Sequence, residues 1–96
     1  MSYRLTHAAL EDLTQMFVWG AERLGIEQAE AYHAGLSRAF EHLAEFPESV
    51  AERIEITPPV RIYPTGRHLI IYREDAQGIL ILRVRHALED WANDGP

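Results

Sequence analysis

Close to its C-terminal end the chain reads RVRHALEDW, residues 83–91, which gathers Arg83, Arg85, His86, Glu89, Asp90 and Trp91. These are types that metal-free phosphodiester cleavage uses: guanidinium groups to neutralise a phosphate, and an imidazole to take or give a proton. They also suit the end of a binding strand, where arginines form bidentate pairs with carboxylates and a tryptophan anchors a contact. Further arginines stand at Arg61, Arg67 and Arg73. His33 and His42 are nine apart, a spacing that one helical face does not use for metal ligands, and no carboxylate pair completes a site. YPTGRH has a single glycine and precedes a strand instead of a helix, so it is no phosphate loop. No serine or threonine combines with histidine and acid. The expectation is therefore no metal, no cofactor and no nucleophile.

What must position these residues is legible as a pattern. Residues 2–6 alternate weakly and read as a short strand. Thr6 is placed to cap a helix over 7–24, whose apolar positions Ala9, Leu13, Met16, Phe17, Gly20 and Leu24 recur at three and four residues. Gly25 stops it. A second helix over 27–46 carries Ala29, Tyr32, Leu36, Ala39, Phe40 and Leu43 on one stripe, and Pro47 ends it. So short a connection lays the two helices antiparallel as a hairpin. Phe17, Tyr32 and Phe40 read as core. Trp19, off the main stripe, reads as interface or hairpin packing.

Residues 48–59 are a transition. Three β-rich runs follow, over about 60–63, 67–73 and 79–86, punctuated by PTG and DAQG turns and joined as an antiparallel meander. Residues 87–96 read as one turn and a short tail. The fold class expected is α+β, with a short N-terminal strand and a two-helix hairpin packed on a small antiparallel sheet, as one domain over 1–96. Strict alternation along the last strand turns Leu80, Leu82, Val84 and His86 towards the helices, with Ile79, Ile81, Arg83 and Arg85 facing away. On the middle strand His68, Ile70 and Tyr72 share one face and Leu69, Ile71 and Arg73 the other. Both faces are partly apolar, so the outer one is expected to be covered by something.

Composition narrows the classes of function. A chain of 96 residues with 47% apolar and 25% charged residues is globular. It has no cysteine, which removes disulfide frameworks and thiolate metal sites. No apolar run is long enough to span a membrane and no signal-peptide pattern opens the chain, so a cytoplasmic location is expected. The net charge is −6, and it is unevenly spread. Residues 1–52 hold three arginines against nine acids, whereas residues 53–96 hold six of each. Such acidity argues against broad nucleic-acid binding, which depends on phosphate neutralisation. All nine basic residues are arginine.

The order strand, helix hairpin, meander resembles the RelE/ParE toxin superfamily, and within it the ParE toxins. The matching stretches are ALEDL (9–13), LAEFP (43–47), VRIYPTGRHLIIYRE (60–74) and ILILRVRHALEDW (79–91). The resemblance runs from about Leu5 to Trp91. It implies a toxin neutralised by a ParD-like antitoxin whose C-terminal segment wraps it and whose N-terminal domain binds operator DNA. It also implies DNA gyrase as target, with no cofactor, no hydrolytic chemistry and no direct DNA contact by the toxin. The RelE branch, by contrast, cleaves mRNA on the ribosome, using a tyrosine or a histidine–tyrosine pair near the chain end. Here Ala87 follows His86 and no tyrosine lies beyond Tyr72.

Three functions remain open on this basis: a gyrase poison, an mRNA interferase built on His86 and the arginines, and a non-toxic remnant that only binds its antitoxin and co-represses. The antitoxin-binding face is expected at Arg61, Leu69, Ile71, Arg73, Ile79, Ile81, Arg83 and Arg85. His86 and Trp91 are expected to meet the target. His86 alternatively caps the core, with one ring nitrogen bonded to backbone.

Overall fold

Thr6 begins the first helix. Its Oγ1 accepts the Ala9 N–H at 3.0 Å and donates to the Leu82 carbonyl at 2.7 Å, so one hydroxyl caps the helix and fastens it to the last strand. In this computed structural model, which describes residues 2–88, α1 runs His7–Leu24. Gly25, at φ +94°, ends it with its N–H on the Ala21 carbonyl. Helix α2 follows at once over Ile26–Glu45, giving the expected hairpin.

The strands are β1 (Tyr3–Leu5), β2 (Glu52–Arg53), β3 (Val60–Thr65), β4 (His68–Asp75) and β5 (Gly78–His86). They form one sheet in the order β1-β5-β4-β3-β2. The α+β class stands, but the sheet is mixed, not purely antiparallel, because β1 joins β5 in parallel. A parallel neighbour needs a long crossover, and the chain between β1 and β5 supplies it. Three weakly alternating residues carry no information about such a partner. Gly78 makes the junction possible: a Cβ there would lie 2.3 Å from the Ser2 carbonyl oxygen, and its φ is +122°. Residues 52–53, read as part of a transition, add a two-residue edge strand.

One cluster forms the core between helices and sheet. Ala9 and Leu13 of α1 meet Leu36, Phe40, Leu43 and Ala44 of α2 over Ile70, Tyr72, Ile79, Ile81 and Val84. Residues paired directly across antiparallel strands share a face. His68, Ile70 and Tyr72 share a face, and it is the one that meets the helices, with Leu69, Ile71 and Arg73 behind them.

The expected faces of β5 are half wrong, and the cause is a bulge. Tyr72 pairs with Ile81 and Ile71 with Arg83, which leaves Leu82 as the extra residue. One inserted residue inverts the alternation on its far side. Val84 and His86 keep the helix side, but Ile79 and Ile81 join them there, each 0% exposed. Among the described residues no helix is long and apolar enough to cross a membrane.

Candidate functional site

The far end of the hairpin packs mostly on itself, with Gly20 against Ala29, and overhangs the end of the sheet where β4 begins and β5 stops. The space beneath is a cleft of about 620 Å³. Its roof is apolar, built from Met16, Phe17, Trp19, Leu24 and Ala29. Its floor is polar and rich in nitrogen, from Arg67, His68, Arg83 and His86, with the Asp12 carboxylate beside Arg83. An apolar wall facing convergent polar groups is the common form of a binding site.

Each floor residue is held by a definite partner or position. Arg83 forms a bidentate pair with Asp12 of α1, Nε to Oδ2 at 2.8 Å and Nη2 to Oδ1 at 2.9 Å. The same carboxylate accepts the Val84 N–H at 3.0 Å, because β5 has passed the end of β1 there and its amides need another acceptor. Arg85 is 9% exposed and pairs across the ladder with Leu69. His68 and His86 are a cross-strand pair whose rings meet edge to face, 5.4 Å between centroids.

Tyr32 reaches down from α2 and places its hydroxyl 2.6 Å from His68 Nδ1. That hydroxyl oxygen accepts the Arg67 N–H at 3.1 Å, so its own proton is available to the imidazole. Gly66 permits the approach, since a Cβ there would stand 2.7 Å from the hydroxyl. His86 Nδ1 accepts the Leu88 N–H at 3.1 Å, the backbone bond weighed above, and a neutral His86 therefore carries its proton on Nε2. Tyr32 was expected in the core; it is 37% exposed and belongs to the cleft. Trp19 is half exposed beneath the Arg23 guanidinium, 4.7 Å from the ring centroid.

The eight residues expected to make one antitoxin face do not share a face. Ile79 and Ile81 lie in the core for the reason given above. Arg61 is on the helix side of β3, where Nε donates to Glu74 at 3.1 Å and Nη1 to the Val50 carbonyl. Arg83 is turned to α1 at the free edge of β5. Leu69, Ile71, Arg73 and Arg85 keep the outer side, and Ile71 is fully buried there. Of the two target residues, His86 lines the cleft and Trp91 lies outside the described residues.

Two other arrangements bear on chemistry. Ser49 Oγ sits 3.2 Å from His42 Nε2 but donates to the Phe46 carbonyl at 2.6 Å, so it closes the end of α2 and is not an activated nucleophile. Tyr72 donates to the Pro47 carbonyl at 2.7 Å, and burial pushes its phenol up to about 12. Among the described residues no group of three or more histidines or carboxylates could hold a metal ion.

The family description "ParE toxin of type II toxin–antitoxin system, parDE" matches residues 3–91. The chain belongs to the ParE toxin family. Toxin ParE1 of Caulobacter vibrioides is 31% identical over 84 residues, covering 88% of this chain and 86% of that one. Toxin ParE1 of Mycobacterium tuberculosis is 32% identical over 89 residues, covering 92% and 91%. A solved chain of the chromosomal ParDE system from P. aeruginosa superposes with a TM-score of 0.75 at 23% identity, over 90% of this chain and 95% of that one. The ParE resemblance and the α+β class drawn from the sequence are therefore both borne out.

The sequence did not point to the Tyr32–His68 bond or the Asp12–Arg83 clamp. Each joins residues 36 or 71 positions apart, and neither follows from local spacing. The one local clue was the glycine in PTG, whose missing side chain is what lets Tyr32 in.

Proposed function

We propose that this ParE-family chain acts by protein contact, is held inactive by a ParD-like antitoxin seated in the cleft under the hairpin, and inhibits DNA gyrase when released. The observation that carries the seat is the cleft's polarity. An apolar roof over a floor that carries Arg67, Arg83, His68 and His86 suits an amphipathic segment that is apolar on one side and acidic on the other. The partner is inferred from the family, and from the solved relative being part of a ParDE system. Leu69, Arg73 and Arg85 on the outer side of the sheet extend the proposed antitoxin contact, and His86 with Trp91 are the proposed target contacts. The toxin is proposed to be cytoplasmic and to reach DNA only through its antitoxin.

The deciding experiment uses the purified chain with purified gyrase. Inhibited supercoiling with accumulated DNA cleavage, relieved by the antitoxin, is the expected result. Unimpaired gyrase at excess toxin would remove the target. One observation favours a second reading: the Tyr32–His68 bond beside His86 restores the histidine–tyrosine pair that the chain end lacks. Codon-phased mRNA cleavage in induced cells, abolished by His68→Ala or Tyr32→Phe, would select an interferase. Unimpaired growth on expression of a folded chain without its antitoxin would select a remnant.

A further inference from the structure

Helix α1 carries a second apolar stripe that the fold covers only in part. Ala9, Leu13 and Gly20 are buried, whereas Leu10, Phe17, Ala21 and Leu24 recur at helical spacing along an adjacent side, with Val18 one step further round. Leu10, Val18 and Leu24 are 52%, 50% and 61% exposed. A helix apolar on two sides belongs in an assembly with more than one neighbour. The Phe17 ring meets His33 of α2 edge-on at 5.7 Å between centroids, so the stripe borders the groove between the two helices. One turn to either side of His33 on α2 lie Ser37 and, through Glu30, the exposed Ile26.

The rim of this groove is acidic. Glu11 and Glu22 flank Val18 on α1, and Glu30 and Glu41 follow the His33 row on α2, all four exposed. The hairpin's two arginines are turned elsewhere, Arg23 over Trp19 and Arg38 beside Gly35. Four of the nine acids of residues 1–52 stand on this rim.

We propose that the outer groove of the helix hairpin docks a cationic amphipathic helix of another protein, with leucine-like side chains on the Leu10–Phe17–Leu24 row and lysine or arginine against the four glutamates. A second copy of this chain fits poorly, because it would bring a second set of the same acids to the rim. Phe17, Leu24 and His33 also line the cleft, so the two surfaces share that edge, whereas Leu10, Val18 and the four glutamates belong to the groove alone.

The test is an amide chemical-shift titration of the full chain with two designed helical peptides sharing one leucine pattern, the first filled with lysine and the second with glutamate. The lysine peptide is expected to shift Leu10, Val18 and Glu30, which do not line the cleft, with a Kd that rises about tenfold or more between about 50 and 300 mM salt. The glutamate peptide should not bind. Leu10→Glu with Val18→Glu, and separately Glu11→Lys with Glu22→Lys and Glu30→Lys, should each abolish binding while the far-ultraviolet dichroism is unchanged. Equal binding of both peptides, shifts confined to His68 and His86, or no shifts at millimolar peptide would overturn the proposal. So would self-association in sedimentation that Leu10→Glu with Val18→Glu removes, since the occupant would then be a second copy.

Discussion

Asp12 binds three donors at once: Nε and Nη2 of Arg83, and the N–H of Val84. Its side chain is 13% exposed and that of Arg83 27%, so the pair lies between the weak surface ion pair and the fully desolvated one. Asp12→Ala leaves a guanidinium and a backbone amide together without their acceptor, and should lower unfolding stability by about 2–3 kcal/mol in urea melts. Asp12→Asn should cost less, because one amide oxygen still serves Val84. Tyr72 gives a second prediction with a pH signature. Its phenol is pushed up to about 12, above its ordinary value near 10, so the folded state holds the proton more tightly than the unfolded chain. Stability should therefore be undiminished below about pH 10 and fall as pH rises from 10 to 12. Tyr72→Phe should lose about 1 kcal/mol at neutral pH, from the bond to Pro47, and flatten that alkaline decline in thermal melts. Alternation alone grouped Tyr72 with His68 and Ile70 on one face of β4, without saying which face is inward. Asp12 was not, because on its own helix it reads as one more acid and its role is set by a strand 71 residues away.

At the scale of elements, what the pattern could not carry was register. Helix boundaries followed from Thr6, Gly25 and Pro47, each a local signal with a local cause. The faces of β5 depended on a bulge at Leu82, and nothing in GILILRVRH distinguishes that residue from Leu80. The parallel docking of β1 is equally non-local and rests on Gly78, where the Ile79 N–H donates to the Ser2 carbonyl at 3.2 Å. Gly78→Ala sets a Cβ against that carbonyl and asks a non-glycine residue to hold φ +122°. It should detach β1, losing about 2 kcal/mol or more and exposing the Ile79 amide to hydrogen exchange first. Arg4 of β1 also donates to Asp75 at the end of β4. That bond, and then the Gln77 N–H, hold the Asp75 carboxyl below its ordinary range. A depressed folded value means the contribution is present above about pH 4 and is lost as pH falls further. Ile79 exchange, corrected for its intrinsic rate, should therefore accelerate in acid, and Asp75→Asn should make it insensitive to pH across that range.

For the whole molecule, charge separates two apolar surfaces that hydrophobicity alone would leave alike. The cleft under the hairpin has arginines and histidines on its floor, and the groove on the hairpin's outer side has glutamates on its rim. Two surfaces of opposite sign on one small chain select different partners and discourage either from taking the other's seat. Arg67 separates this account from one based on apolar area. It is exposed at the edge of the cleft, and its side chain is not among the core contacts, so Arg67→Glu should change the unfolding free energy by no more than about half a kcal/mol. If an acidic antitoxin segment is drawn to the cleft floor, the same change should raise its Kd about ten- to a hundredfold at low salt, chiefly through slower association. The difference should shrink towards the unmodified chain's value as salt screens the charge. Trp19→Ala, which removes apolar roof without altering charge, should instead speed dissociation and leave the salt dependence as it was. Binding kinetics measured at two salt concentrations distinguish the two variants, and equal salt slopes for both would move the acidic contact off the cleft floor.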